Sequence, residues 1–126
     1  MDKKIILAID DNTMQLDMFK KMLGEKYEVE TVNSAANAIH YLNQSQADVI
    51  LLDIEMPHIT GFDFLYDIRK IPSYMEVPII IVSGNTGQQF FDEARKSSAF
   101  DVLSKPVKLD ILIETIEKSL AAVVKR

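Results

Sequence analysis

Three runs of consecutive apolar residues constrain the fold of this chain more than any other feature. They lie at Ile5–Ile9, Val49–Leu52 and Ile79–Val82. Uninterrupted runs of this length are typical of strands that are covered on both faces, as in a parallel sheet between two layers of helices. An amphipathic stretch follows each run, so the sequence predicts an α/β fold with a parallel sheet.

The same alternation continues from one end of the chain to the other and predicts five βα units. We predict strands at Lys4–Ile9, Tyr27–Val32, Asp48–Leu52, Val77–Val82 and Phe100–Leu103, and helices at Thr13–Leu23, Ala35–Asn43, Phe62–Lys70, Gly87–Lys96 and Leu109–Val124. The second strand alternates polar with apolar residues and the fifth contains Asp101, which is typical of edge strands with one side in water. With right-handed crossovers, this placement predicts the doubly wound, flavodoxin-like order 2-1-3-4-5 in a three-layer (βα)5 sandwich.

Length and composition exclude several classes of protein. The chain has 126 residues, the size of one domain, and it has no cysteine, which excludes disulfides, thiolate metal sites and cysteine nucleophiles. The net charge is −5 and no cluster of Lys and Arg marks one face, so we expect no nucleic-acid binding by this chain. The first apolar run is too short for a secretory signal, and we expect a cytoplasmic protein without a membrane partner.

Polar side chains follow four of the predicted strands at the point where each strand ends. They are Asp10 and Asp11 after the first strand, Asp53 after the third, Ser83 after the fourth and Lys105 after the fifth. In this strand order a ligand binds beyond the carboxyl ends of the first and third strands. Each residue also has a structural interpretation as a turn or cap residue, and Asp11 or Asn12 can cap the first helix. The convergence of all five on one rim favours a functional site.

Three converging carboxylates require a cation, because each pair repels by about 4 kcal/mol at about 4 Å and an effective dielectric of about 20. An all-oxygen donor set without His or Cys suits Mg²⁺ or Mn²⁺. Lys105 can supply a positive charge, and Ser83 a hydrogen-bond donor, for phosphoryl oxygens. A carboxylate is then left as the nucleophile that can form an aspartyl phosphate.

The full pattern resembles the receiver domain of two-component response regulators, and the resemblance covers nearly the whole chain. The matching residues are Asp10-Asp11, Asp53, Met56-Pro57, Gly61, Ser83-Gly84 and Lys105-Pro106. The resemblance implies a single receiver domain over residues 1–126, without an output domain, that works as a phosphorylation-dependent switch in a phosphorelay. It implies no enzyme with an external substrate, since the chemistry is limited to phosphorylation and dephosphorylation of Asp53 itself.

The resemblance also implies a role for each residue of the rim. Asp53 would be the phosphoacceptor, Asp11 and Asp53 would bind Mg²⁺ directly, Asp10 would act mainly through water, and the main-chain carbonyl of Glu55 would be a further ligand. Ser83, Lys105 and the amides of Glu55 and Gly84 would hold the phosphoryl oxygens. The phosphodonor would be a phosphohistidine on a histidine kinase or a histidine phosphotransfer domain, and the output partner leaves no trace in the sequence.

Two positions depart from the family pattern in ways that bear on the switch. Val102 stands where the family usually has Tyr or Phe, whose inward rotation accompanies phosphorylation, so the chain lacks an aromatic ring at that position of the switch. Phe100 could substitute for this ring, because residues two apart in a strand share a face, but core packing is the better interpretation. For Glu55 we hypothesise that its charge either alters the lifetime of the phosphoryl group or pairs with Lys105 when the site is empty.

Side chains outside the rim receive structural interpretations. Met14, Met18 and Met22 recur every four residues along the first helix, and we predict that this methionine stripe faces the core. Leu16, toward the edge of the stripe, is a candidate contact for the phosphodonor. His40 and His58 lack the spacing of metal ligands, and we interpret both as structural or solvated.

Two further functions compete with the switch. A pseudo-receiver would dock partners without phosphorylation, and Val102 is compatible with it. A Mg²⁺-dependent phosphohydrolase of the haloacid dehalogenase type also uses a strand-end aspartate, but that family places its nucleophile after the first strand within Asp-x-Asp. Here the acids after the first strand are adjacent, and the lone Asp53 follows the third strand. A flavin carrier is disfavoured because no hydroxyl-rich phosphate loop follows the first strand.

Overall fold

Strands and helices alternate along the computed structural model, which describes residues 3–57, 59 and 62–124. The strands are β1 (Ile5–Ile9), β2 (Glu28–Val32), β3 (Val49–Leu52), β4 (Ile79–Ser83) and β5 (Asp101–Ser104), and the helices are α1 (Thr13–Leu23), α2 (Ala35–Gln44), α3 (Asp63–Arg69), α4 (Gln88–Lys96) and α5 (Leu109–Val124). A short 3₁₀ helix at Pro72–Tyr74 precedes β4. Every predicted element is confirmed, and its boundaries differ from the prediction by one or two residues at most. Strand β4 begins later than predicted, after Pro78, which has no N–H to donate to the ladder.

The sheet has the order β2-β1-β3-β4-β5, and every neighbouring pair is parallel. Ile9 pairs with Val32 of β2 and with Leu52 of β3, and Ser83 pairs with Ser104. The carboxyl ends of these neighbouring strands therefore lie at the same level of the sheet. We call the side beyond these residues the carboxyl edge of the sheet, and the opposite side, where the strands begin, the amino edge. The predicted flavodoxin-like topology is confirmed.

Helices cover the two faces of the sheet in separate layers. Ile6 and Ala8 of β1 belong to a buried cluster with α1 and α5, whereas Leu7 and Ile9 belong to a second cluster with α2, α3 and α4. Successive residues of a strand point to opposite faces, so a strand buried on both faces must be apolar at every position. This arrangement explains the three continuous apolar runs and confirms the three-layer sandwich.

The prediction that the methionine stripe of α1 faces the core is wrong for Met14 and Met18, although the half-buried Met22 does pack against the core. Met14 is 76% exposed and Met18 is 46% exposed, while the buried residues of the helix are Leu16, Phe19 and Leu23. A strict spacing of four drifts by about 40° per step around a helix with 3.6 residues per turn. Spacings of three and four, as in the buried set, stay on one face. Leu16 is therefore a core residue, and it has little exposed surface to offer as the candidate contact for the phosphodonor.

Phe100 is also more exposed than predicted. It lies one residue before β5, its side chain is 40% exposed, and it lines a shallow surface pocket with Ala122 and Val123 of α5. Val102 is half-buried and packs against the cluster on the α4 side of the sheet. The two residues therefore do not share a face, because Phe100 precedes the regular strand.

Among the described helices, none combines the length and the apolar character needed for a membrane span.

Candidate functional site

Backbone hydrogen bonds carry the strand register into the residues of the carboxyl edge. The amide of Asp53 donates to the carbonyl of Ile9 at 3.0 Å, and the amide of Lys105 donates to the carbonyl of Ser83 at 2.8 Å. The amide of Asp10 donates to the carbonyl of Val32 at 3.2 Å. Each of these three residues is the first after its strand, so the sheet itself fixes where the polar side chains start.

Lys105 joins the two buried carboxylates of the site. Its Nζ lies 2.9 Å from Oδ2 of Asp10 and 3.3 Å from Oδ2 of Asp53. Asp10 is only 1% exposed and Asp53 is 6% exposed, so both charges are largely removed from water. Buried carboxylates are retained in proteins when they are paired and hydrogen-bonded, and a shared ammonium group meets both conditions.

The charge states of the site follow from burial and from these contacts. Burial raises the pKa of Asp53, the neighbouring charge of Asp10 raises it further, and the amide of Glu55 together with Lys105 opposes the rise. Burial alone would lower the pKa of Lys105, but its bonds to Asp10 and Asp53 outweigh burial and the pKa is raised. These contacts therefore favour the charged form of Lys105, whereas burial disfavours the ionised form of Asp53.

Three carboxylates are close enough to share one cation. Asp10, Asp11 and Asp53 each offer an oxygen atom within 4.8 Å of the others. Oδ1 of Asp10 accepts from the amide of Asn12 at 2.9 Å, and its Oδ2 accepts from Lys105, whereas Asp11 is exposed on the same rim. A set of oxygen donors without sulfur or nitrogen fits a hard divalent cation such as Mg²⁺.

A second hydrogen-bonded group, formed by Glu55, Ser83 and Asn85, lies beside the carboxylates. The hydroxyl of Ser83 donates to Oε1 of Glu55 and accepts from the backbone amide of Asn85 at 3.0 Å. Nδ2 of Asn85 approaches Oε2 of Glu55 at 3.4 Å. The hypothesis that Glu55 pairs with Lys105 is wrong, because Lys105 is held between Asp10 and Asp53 and Glu55 turns toward Ser83.

Residues of the rim also have the cap and turn roles that the sequence predicted for them. Asn12 caps α1, since its Oδ1 accepts from the amides of Met14 and Gln15. Oδ1 of Asp53 accepts from the amide of Glu55 at 2.8 Å, which closes the turn after β3. The same side chains therefore shape the loops and bring their polar groups to one place.

Sequence reasoning missed Asn85. Its Oδ1 accepts from the amide of Gly87 at 2.8 Å, directly before α4, while its Nδ2 faces Glu55. The signal was available, since an Asn two residues before a Gly at a helix start is typical of an Asx turn. What the sequence could not indicate was the contact with Glu55, which comes from a different loop.

The remaining predicted positions are placed as follows. Gly84 is exposed, and a Cβ added there would meet no atom within 4 Å, so space alone does not require glycine at this position. Val102 lies in β5, and His40 is exposed on α2, which confirms the solvated interpretation of that histidine. Gly61 and His58 lie outside the described residues.

Comparison with protein families gives a direct match. A family model described as the response regulator receiver domain matches residues 6–117. The crystal structure of a CheY-like response regulator receiver domain protein from Methanospirillum hungatei JF-1 superposes with a TM-score of 0.89 and 28% identity, and the match covers 98% of each chain.

Curated relatives are much longer than this chain. The 3',5'-cyclic-nucleotide phosphodiesterase regA of Dictyostelium discoideum is 32% identical over 125 residues, which cover 96% of this chain and 16% of that protein. The sensor histidine kinase RcsC of Salmonella typhimurium is 28% identical over 116 residues, which cover 91% of this chain and 12% of the kinase. The chain therefore spans less than a fifth of the length of either relative.

Proposed function

The chain belongs to the response regulator receiver family, and on that premise we propose that it is a phosphorylation-dependent switch of two-component signalling in which Asp53 is the phosphoacceptor. The observation that carries this proposal is the position of Lys105 Nζ, at hydrogen-bond distance from both Asp10 and Asp53. A cation in that place can donate to a phosphoryl oxygen once Asp53 has become an acyl phosphate.

A divalent cation completes the proposed site. Asp11, Asp53 and the main-chain carbonyl of Glu55 would hold Mg²⁺ directly and Asp10 would act mainly through water, and Mn²⁺ suits the same donors. When bound, the cation supplies positive charge that offsets the negative charge of the carboxylates and of the incoming phosphoryl oxygens. The clustering of the three acidic side chains supports this assignment.

The residues of the chain have distinct parts in the transfer. A carboxylate oxygen of Asp53 forms the new O–P bond as the P–N bond of a donor phosphohistidine breaks, and the histidine leaves with the electron pair of that bond. Lys105 and Ser83 donate to phosphoryl oxygens, together with the amides of Glu55 and Gly84. Positioning and charge neutralisation account for most of the acceleration in such transfers, so a site of fixed donors is suited to the task.

The proposed partners follow from this chemistry. The donor is a histidine kinase or a histidine phosphotransfer domain, and phosphorylation changes the affinity of the chain for an output protein or domain. Water later hydrolyses the aspartyl phosphate and restores the carboxylate of Asp53. We propose that residues 1–126 act as one receiver domain in the cytoplasm, with no external substrate of their own.

Val102 favours one alternative, a pseudo-receiver that binds partners without phosphorylation. In this alternative the switch would lack an aromatic ring in β5, and the polar rim would serve only the structure of the loops. Retention of Asp10, Asp11, Asp53 and Lys105 around one point argues against it.

Incubation with acetyl phosphate and Mg²⁺, followed by intact-mass spectrometry, separates the two functions. The switch predicts that the wild-type protein gains one phosphoryl group and that Asp53→Ala gains none. Omission of Mg²⁺ should also abolish the gain. A folded wild-type protein that stays unmodified under these conditions would exclude the switch and leave the pseudo-receiver.

A further inference from the structure

We propose that Glu55 is a latch on the hydroxyl group of Ser83. Its carboxylate takes the hydrogen bond that a phosphoryl group on Asp53 needs, and it must release Ser83 before the phosphorylated state forms. The inference rests on the proposed function, since it concerns how the same site passes from the unphosphorylated to the phosphorylated state. Glu55 acts through Ser83 and is therefore a positioning residue.

The hydrogen of the Ser83 hydroxyl is fully committed. Ser83 is only 1% exposed, its Oγ donates to Oε1 of Glu55, and the same Oγ accepts from the amide of Asn85. A serine hydroxyl has a single hydrogen to donate. While Glu55 holds that hydrogen, Ser83 has none to offer to a phosphoryl oxygen.

The bond is strong but reversible. A hydrogen bond to an ionised carboxylate is about twice as strong as one between neutral groups. Nδ2 of Asn85 adds a longer contact to the other oxygen of Glu55, at 3.4 Å. Glu55 itself is exposed, so its carboxylate can return to water after release without the penalty of a buried charge.

Ser83 and Lys105 differ in the hydrogen bonds that must change before they can contact a phosphoryl group. Lys105 already lies 3.3 Å from Oδ2 of Asp53, so the oxygens of a phosphoryl group on that carboxylate come within its reach. Ser83 is bonded to a carboxylate from another loop and must exchange one acceptor for another. The exchange at Ser83, and not the approach of Lys105, is therefore the step that Glu55 controls.

Release of Glu55 from Ser83 also affects the residues at the start of α4, through Asn85. Asn85 contacts Glu55 through Nδ2 and accepts from the amide of Gly87 through Oδ1 at 2.8 Å, directly before the helix. Glu55 thus connects the loop after β3 with the loop after β4 in the unphosphorylated protein. Loss of that connection frees the side chain of Asn85 at the point where α4 begins.

Titration with beryllofluoride in the presence of Mg²⁺ tests the latch directly, because this probe mimics a phosphoryl group on a carboxylate. We expect Glu55→Ala to lower the apparent dissociation constant by about tenfold, since one charge-assisted hydrogen bond no longer competes. Glu55→Gln keeps an uncharged acceptor and should give a smaller decrease. Glu93→Ala is the matched control, because Glu93 is an exposed carboxylate that lines the same surface pocket as Glu55, and it should change the constant by less than about twofold.

Two further measurements separate a latch from a general effect of charge. In a Ser83→Ala background, Glu55→Ala should give no gain in beryllofluoride affinity, because the contested hydrogen is gone. The side-chain amide resonances of Asn85 should shift when wild type binds the probe, and Glu55→Ala should show the shifted position without it.

The outcomes distinguish the latch from the proposed function. Equal affinities in wild type and Glu55→Ala, an equal gain in Glu93→Ala, or a gain that persists without Ser83 would each overturn the latch while wild type still binds the probe and is phosphorylated. A wild-type protein that neither binds beryllofluoride nor accepts a phosphoryl group overturns the proposed function, and the latch with it.

Discussion

The two edges of the sheet differ in how far their polar side chains bond to one another. At the amino edge, side chains bond to the backbone. Oδ2 of Asp48 accepts from the amide of Ile5 at 2.7 Å, the hydroxyl of Tyr74 donates to the carbonyl of Ser45 at 2.6 Å, and Arg69 donates to the carbonyl of Tyr74 at 3.0 Å. At the carboxyl edge, side chains also bond to the backbone, but there Lys105 bonds in addition to Asp10 and Asp53, and Ser83 bonds to Glu55.

This difference separates stability from function. A side chain that satisfies a backbone group holds the chain in place, because its loss leaves a buried polar group without a partner. A side chain that bonds to another side chain can exchange its partner while the backbone stays where it is. We therefore expect substitutions at the amino edge to lower the free energy of unfolding, and substitutions at the carboxyl edge to change phosphorylation.

Arg69→Ala should have the largest effect on stability and tests the amino edge. Arg69 donates to the carbonyls of Tyr74, Val77 and Ser98, and also to the hydroxyl of Ser98. Loss of these bonds should lower the free energy of unfolding by about 3 kcal/mol, measured by urea denaturation.

The exposed Arg95, whose ion pair with Asp92 is at the surface, provides the control for Arg69. Arg95→Ala should cost less than about 0.5 kcal/mol. The comparison between the edges breaks if Arg69→Ala costs no more than this, or if a folded Arg69→Ala protein can no longer be phosphorylated by acetyl phosphate.

Added Mg²⁺ should stabilise the carboxyl edge by mass action. At a concentration about 100-fold above the dissociation constant, the gain in free energy of unfolding is about 2.7 kcal/mol, visible as a rise in melting temperature. Asp11→Ala should abolish the rise with little effect on the metal-free protein, because Asp11 is exposed. A rise of the same size in Asp11→Ala would remove Asp11 from the proposed ligands.

Tyr74→Phe should remove a single side-chain bond from the amino edge. Tyr74 is almost fully buried, and its hydroxyl donates to the carbonyl of Ser45, so the variant should lose about 1 kcal/mol by urea denaturation. Tyr66→Phe changes an exposed tyrosine and should be neutral. Phosphorylation should proceed at the wild-type rate in both variants, and a slower rate in Tyr74→Phe would show that the edges are coupled.

Asp53→Asn should give the smallest effect and the opposite sign. The raised pKa of Asp53, caused first by burial, means that its ionised form opposes folding at neutral pH in metal-free buffer. The variant should therefore be slightly more stable than wild type at neutral pH. The gain should shrink as the pH falls through the pKa of Asp53 in the folded protein, because wild type then takes up the proton. Urea denaturation across this range would contradict the interpretation if the gain grew toward acid pH.

The sequence predicted the fold and the rim well, for a physical reason. Both depend on the backbone ladder, since an apolar run sets a strand and the parallel register sets where Asp10, Asp53, Ser83 and Lys105 emerge. Contacts of this kind depend only on which residue follows which strand.

The failures share a different cause. The methionine stripe of α1 competed with a second apolar set, Leu16, Phe19 and Leu23, and only packing against the sheet decided between them. The sequence offered both Ser83 and Lys105 as partners for Glu55, and in the structure Glu55 bonds to Ser83. Neither the buried face of α1 nor the partner of Glu55 can be predicted from the order of residues alone, because both depend on distances between separate elements.

The bond between Lys105 and Asp10 joins residues 95 positions apart in the chain. A nascent or proteolysed polypeptide that lacks the fifth strand has Asp10 and Asp53 but not the ammonium group that lies between them. If the chain acts as the proposed switch, the site should therefore form only after the fifth strand has been synthesised and has joined the sheet.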